Sequence, residues 1–207
     1  MQVVKQKTIH GGFLPKYFFL TKGKAASSIS PLNAFDEALM AAGITQCNLV
    51  SVSSILPPDA QEIEPVMLTP GTITFAVLAR MDGGSRETIG AGVAYALCSS
   101  PAGVGYGLVA EAHGYKDERA LTAELKYKLE QMAKVRGLTI TKTKYVVESM
   151  EVPRGKDGCT IASLVYLPWD PNESLTRVYN DVSDSHLTPE SKLDANGQRT
   201  INQVNMG

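Results

Sequence analysis

Residues 53–58 read Ser-Ser-Ile-Leu-Pro-Pro, and a serine hydroxyl is a potential nucleophile. Nothing around the pair makes it a hydrolase serine, because the G-x-S-x-G elbow and a Ser/His/Asp context are both absent. On its own, a serine pair ahead of two prolines reads as a polar turn that ends a strand. Glu111 lies close to His113, which suggests acid–base work. A lone histidine near a strand end is more often a satisfied surface group. The histidines (His10, His113, His186) and the cysteines (Cys47, Cys98, Cys159) are widely spaced, with no CxxC, so no metal site is expected. The cysteines sit in apolar surroundings and read as buried thiols of a reducing compartment. The GVGYG run at 103–107 does not have G-x-G-x-x-G spacing, and no helix follows it, so it is not a nucleotide loop.

The elements around these residues are legible from spacing. Ser30 is suited to cap a helix and Pro31 to its first turn. Leu32, Phe35, Leu39 and Met40 then recur at helical spacing, and Gly43 is a plausible stop. A short strand is predicted over 47–52, followed by strands over 72–80, 87–98 and 103–112. The second helix is predicted over 117–136, with Leu121, Leu125, Leu129, Met132 and Val135 on one face and Gly137 at its end. Strands over 138–150 and 158–167 flank a polar turn. Residues 1–29 carry no clear period, and Lys22 and Lys24 fall in the stretch 22–30, where closure over a substrate would let them alter specificity. One parity of 90–96 is all Gly or Ala, and Gly103, Gly105 and Gly107 repeat that bareness. Side chains alternate across a strand, so each strand shows a nearly bare face. The expectation is that this face packs on a second sheet, while Val93, Tyr95, Leu97, Tyr106 and Leu108 face helices.

Composition narrows the function. Of 207 residues, 43% are hydrophobic and 20% charged, which fits a globular chain. Lys+Arg total 20 against 21 Asp+Glu, so no basic excess exists to neutralise a nucleic acid. Apolar runs are too short to span a bilayer, and the first ten residues lack a secretory core, so a cytoplasmic protein without membrane partners is expected. Residues 1–170 read as one domain. Residues 171–207 are polar and read as a mobile tail or as an arm on a neighbouring subunit.

Taken together, several segments resemble the pyruvoyl-dependent arginine decarboxylases. They are PLNAFD at 31–36, AAGI at 41–44, NLV at 48–50, SSILPP at 53–58, ETI at 87–89, GLVAE at 107–111 and the Gly158-Cys159 strand. The resemblance covers about residues 13–168 and excludes the tail. It implies a four-layer α/β/β/α sandwich of α+β class, with two closely packed sheets and outer helices. It also implies at least a trimer, with active sites between subunits.

The resemblance further implies self-processing. The Ser54 hydroxyl attacks the Ser53 carbonyl, and elimination and loss of ammonia convert Ser54 to a covalent pyruvoyl cofactor. Chains 1–53 and 54–207 result. A strained backbone before Pro57 is a reasonable place to activate that amide. Asn48 matches the position linked to processing, as an oxyanion donor, and it equally suits a turn at a strand start. The pyruvoyl group would form a Schiff base with L-arginine, release CO2 and yield agmatine. Glu111 matches the proton donor. It shares parity with the bare glycines, so it is expected to point into the packed interior. Asp36 matches the residue that contacts the substrate's cationic end, and it also reads as a solvated helical acid beside Glu37. Leu32 and Phe35 accompany it in substrate binding, and Leu39 reads as core. The rival readings are a decarboxylase of another cationic amino acid and an unprocessed, non-catalytic subunit.

Overall fold

The computed structural model describes residues 13–101 and 105–167. All of these fall in the unit Met1–Asp170. The tail at 171–207 and Gly103 lie outside the described residues.

The elements run β1 (Tyr17–Ser27), α1 (Pro31–Ala41), β2 (Asn48–Ser51), β3 (Ile55–Leu56), β4 (Gln61–Glu62), β5 (Ile73–Gly83) and β6 (Thr88–Ser99). They continue with β7 (Gly107–Gly114), α2 (Glu118–Val135), β8 (Thr139–Glu151) and β9 (Asp157–Leu167). This is an α+β fold with two sheets, in the orders β2-β5-β9-β1-β4 and β3-β7-β6-β8. β1 pairs antiparallel with β9 along its whole length, from Tyr17 opposite Leu167 to Ser27 opposite Asp157. β2 runs parallel to β5 at the sheet's edge.

Both helices start and stop where their residues require. The Ser30 side chain accepts from Asn33 N–H, Pro31 fills the first helical position, and Gly43 turns the chain out with φ +74°. Asp117 accepts from Ala120 N–H to cap α2, and Gly137 follows with φ +62°.

Three clusters form the core. One joins Phe18, Leu20, Val77, Leu164 and Tyr166 of the first sheet to Leu56, Val93, Tyr95 and Val109 of the second. Another joins α1 to the first sheet through Ala34, Ala38, Phe19 and Val165. The third joins α2 to the second sheet through Leu121, Leu125, Leu129, Ala94, Ala96 and Leu108.

The faces of β6 are the reverse of the expectation. Val93 and Tyr95 belong to the cluster between the sheets, with Leu97 packed against it. The bare parity lies under α2. A Cβ on Gly90 would fall 2.6 Å from Leu121 Cδ1 and 2.7 Å from the Lys116 carbonyl, and one on Gly92 would fall 2.9 Å from Leu125 Cδ1. The small residues let the helix sit close, and the large side chains fill the space between the sheets. Tyr106 and Leu108 do face α2.

β1 is the long strand that pattern reading misses, along with the two-residue strands β3 and β4. Phe18 and Phe19 are adjacent and buried in different clusters, so no polar–apolar alternation marks the strand. Lys22 and Lys24 stand in this strand rather than in a lid. Both ammonium groups pair with Glu148 of β8, at 3.3 and 2.8 Å, and donate to the Val147 and Ser149 carbonyls. Burial alone would raise the Glu148 pKa, but the two lysines outweigh it and hold the carboxyl below the usual carboxylate range.

Candidate active site

The Ser53–Ser54 peptide lies where the chain passes from one sheet to the other. Before it, Val52 N–H donates to the Ala76 carbonyl of β5 at 3.0 Å. After it, the Ser54 carbonyl accepts from Val109 N–H of β7 at 2.9 Å. β3 then pairs antiparallel with β7, Ile55 opposite Leu108 and Leu56 opposite Gly107. Leu56 is wholly buried, and a Cβ on Gly107 would fall 2.6 Å from its Cβ. The Tyr166 hydroxyl donates to the Ile55 carbonyl at 3.1 Å, and burial pushes that phenol up to about 12. The serine pair is therefore tethered to both sheets. Neither serine takes a positive φ. Among the described residues, positive φ outside glycine occurs at Asp59 and Arg86.

The two serines open onto different spaces. Ser53 lines a cavity of about 270 Å³ with Phe13, Val52, Phe75 and Tyr166. Ser54 lines one of about 360 Å³ with Val109, Ala110, Glu111, Tyr127, Lys128, Gln131 and Met132. The fold thus brings Ser54 and Glu111 to one cavity. Tyr127, Lys128 and Gln131 escaped the sequence reading, which took Met132 only as part of the apolar face, although Tyr127/Gln131 and Lys128/Met132 are i, i+4 pairs.

Glu111 is exposed, not interior as its parity suggested. It shares its face of β7 with the buried Val109. β3 pairs with β7 only at Gly107 and Leu108, so beside Glu111 β7 is paired on one edge alone, with Val93 of β6 opposite it. Its main-chain carbonyl accepts from Lys128 Nζ at 2.8 Å. Lys128 also pairs with Glu124 at 2.8 Å, and Glu124 with Lys116 at 2.6 Å. Hydrogen bonds from Lys116 and Lys128 hold the Glu124 carboxyl below the usual range.

Asn48, Asp36, Leu32 and Phe35 do not line the cavity that Ser54 and Glu111 share. Asn48 begins β2, and the strand puts about 10 Å between it and Ser51. Its Nδ2 donates to the Gly71 carbonyl at 2.9 Å. Asp36 is exposed on α1, where Thr45 Oγ1 donates to its Oδ1 at 2.8 Å. Leu32 is 72% exposed. The Phe35 ring packs on the core under α1, with the Arg80 guanidinium 3.6 Å above its centroid. Cys98 and Cys159 are buried, and Cys47 is half-buried. Burial pushes both buried thiols up, Cys159 to about 12. Among the described residues, no three His, Cys, Asp or Glu stand together as metal ligands, and no helix is long and apolar enough to cross a membrane.

Residues 17–171 match the family model for pyruvoyl-dependent arginine decarboxylase. A protein of that name from Methanopyrus kandleri is 33% identical over 154 residues, covering 74% of this chain and 97% of its own. One from Methanothermobacter thermautotrophicus is 37% identical over 150 residues, covering 72% and 94%. A probable member from Chlorobium luteolum is 30% identical over 193 residues, covering 91% and 93%. The chain is by these matches a carboxy-lyase and belongs to the pyruvoyl-dependent arginine decarboxylase family.

The cofactor of this family is a pyruvoyl group. The residues present fit it. A serine with a carbonyl on its N-terminal side faces a cavity holding a carboxyl group. Cutting there would leave β1 fully paired with β9, and β2 paired with β5.

Proposed function

We propose that this chain cleaves itself between Ser53 and Ser54 and converts L-arginine to agmatine and CO2. The observation that carries the reading is the Ser54–Glu111 cavity beside a peptide bond held from both sheets. In processing, Ser54 Oγ adds to the Ser53 carbonyl carbon, the C–N bond breaks, and an ester replaces the amide. Loss of the Ser54 Cα proton expels the Ser53 carboxylate and leaves a dehydroalanine. Water replaces its nitrogen as ammonia departs. The group so formed supplies an electrophilic carbonyl for the substrate amine and a sink for the electron pair left as CO2 departs.

The side chains do the rest. Glu111 delivers a proton to the substrate Cα from the wall of the cavity. Lys128 holds the main chain of Glu111 in place. Asp36 meets the guanidinium, since a carboxylate matches it with two hydrogen bonds. Leu32 covers the aliphatic part of the substrate, and Phe35 supports the helix that carries both. Asn48 donates to the oxyanion formed during processing.

Asp36, Leu32 and Asn48 reach the Ser54 cavity from a second copy in this reading. Supporting it are the exposed apolar side chains of Leu32, Met40, Val50, Ile55 and Ile73 and the edge position of β2. A ring of copies, at least a trimer, closes such a site with one repeated interface. The layer order α/β/β/α is supported by one core cluster shared between the sheets and one under each helix. A cytoplasmic location, with residues 171–207 as a tail or arm, completes the proposal. The test is the product mixture. L-arginine should yield agmatine and CO2 in equal amounts, ornithine and lysine far less, and the Ser54→Ala chain none. Equal turnover of lysine would pass the lead to a broader cationic specificity.

A further inference from the structure

The Asp36 carboxylate is oriented by a neutral group. Thr45 Oγ1 donates to Asp36 Oδ1 at 2.8 Å. Among the described residues, no Lys, Arg or His forms an ion pair with Asp36. Its charge is thus left for another partner, while one oxygen is fixed.

The hydroxyl that fixes it stands on a tied-down turn. Gly43 takes φ +74°, and Ile44, only 1% exposed, donates its N–H to the Leu39 carbonyl at 3.1 Å. Cys47 N–H donates to the Ile44 carbonyl at 3.3 Å, and Gly71 N–H to the Gln46 carbonyl at 2.8 Å. Thr45 therefore sits between anchored neighbours, with little freedom to follow the carboxylate.

This matters because the two cationic end groups differ in geometry. An ammonium is a compact point charge and accepts many carboxylate orientations. A guanidinium presents two parallel N–H bonds, which fit only when the carboxylate plane matches the fork. A single bond from Thr45 leaves a lone pair on Oδ1 and both on Oδ2, enough for a two-pronged contact.

We propose that Thr45 is a positioning residue that sets the plane of Asp36 and so favours ligands ending in a guanidinium over those ending in an ammonium. This rests on the reading that Asp36 meets the cationic end of the substrate.

The test is calorimetric titration of the self-processed full chain with agmatine and with 1,5-diaminopentane, which carries an ammonium at the same end. Thr45→Val, which keeps the shape and removes the donor, should weaken agmatine binding about fivefold and 1,5-diaminopentane binding less than about twofold. Thr45→Ser should bind both like the parent and should restore the Tm if the valine variant is less stable. Equal weakening of the two ligands, no weakening of agmatine, or a serine variant that behaves like valine would overturn the role of Thr45. Asp36→Asn separates the underlying reading. If it leaves agmatine binding intact, or the parent binds no agmatine, Asp36 is not the guanidinium site and the Thr45 role falls with it. If Asp36→Asn abolishes binding while Thr45→Val changes nothing, only the Thr45 inference fails.

Discussion

Glu111 is the side chain on which turnover depends most heavily in the proposed reaction, because among the described residues it alone of the carboxyl groups lines a cavity with Ser54. Glu111→Gln should leave self-cleavage intact and lower kcat about 100-fold or more, the usual scale for losing a positioned proton donor. Steady-state agmatine formation by the cleaved variant checks this, and a normal kcat would remove Glu111 from the role. Asp36 has a separate signature. Asp36→Asn should raise the arginine KM about tenfold or more with a smaller change in kcat, since the lost contact is two-pronged and charge-assisted. The chemistry proposed for both residues rests on their types and on the family resemblance, and their surroundings were not legible in the sequence. Glu111 shares parity with the buried Val109 yet is itself exposed, a difference that alternation along one strand does not encode. Thr45 and Lys128 act on Asp36 and Glu111 through hydrogen bonds between elements, which no local pattern encodes.

At the scale of elements, the two helices are where capping residues, apolar spacing and terminal glycines all agree, and they form where the sequence says. β1 forms without any such agreement. Its neighbouring phenylalanines go to opposite faces, and its lysines look like loop residues until Glu148 of the other sheet is in view. The bare face of β6 was legible as a close approach, but the identity of the approaching element was not. A strand faces two ways, and composition alone does not say which side meets a helix. The closeness itself predicts a cost. Gly90→Val should destabilise the fold by about 1–3 kcal/mol, because the added carbons meet Leu121 and the Lys116 carbonyl. The urea midpoint measures this, and an unchanged midpoint would mean that α2 yields freely. Gly107→Ala should act through β3 instead. By pushing Leu56 away it should slow self-cleavage more than it lowers stability, read as the rate of appearance of the two chains.

At the scale of the whole molecule, the sheets are joined, among the described residues, by apolar side chains and by two charged clasps, one of which pairs Lys144 of β8 with Glu62 of β4. Glu148, Lys22 and Lys24 connect β8 to β1. The lysines also occupy the Val147 and Ser149 carbonyls of β8, the edge strand of its sheet, which blunts that edge against pairing with other chains. The folded Glu148 carboxyl titrates below its ordinary value of 4.5. Its stabilisation is therefore full above the unfolded pKa, near 4.5, and is lost as the pH falls through the lower folded value. The parent should lose Tm more steeply than Glu148→Gln below about pH 4.5, and parallel pH–Tm curves would contradict this. The central claim concerns the link between the sheets at residues 53 and 54. The most direct measurement is the intact mass of the purified protein under denaturing conditions. The account predicts two chains, residues 1–53 with a free carboxylate and residues 54–207 with a pyruvoyl terminus, together heavier than the parent by one water less one ammonia. A single full-length chain that persists on long incubation would contradict it and would make the serine pair a silent crossing between two sheets.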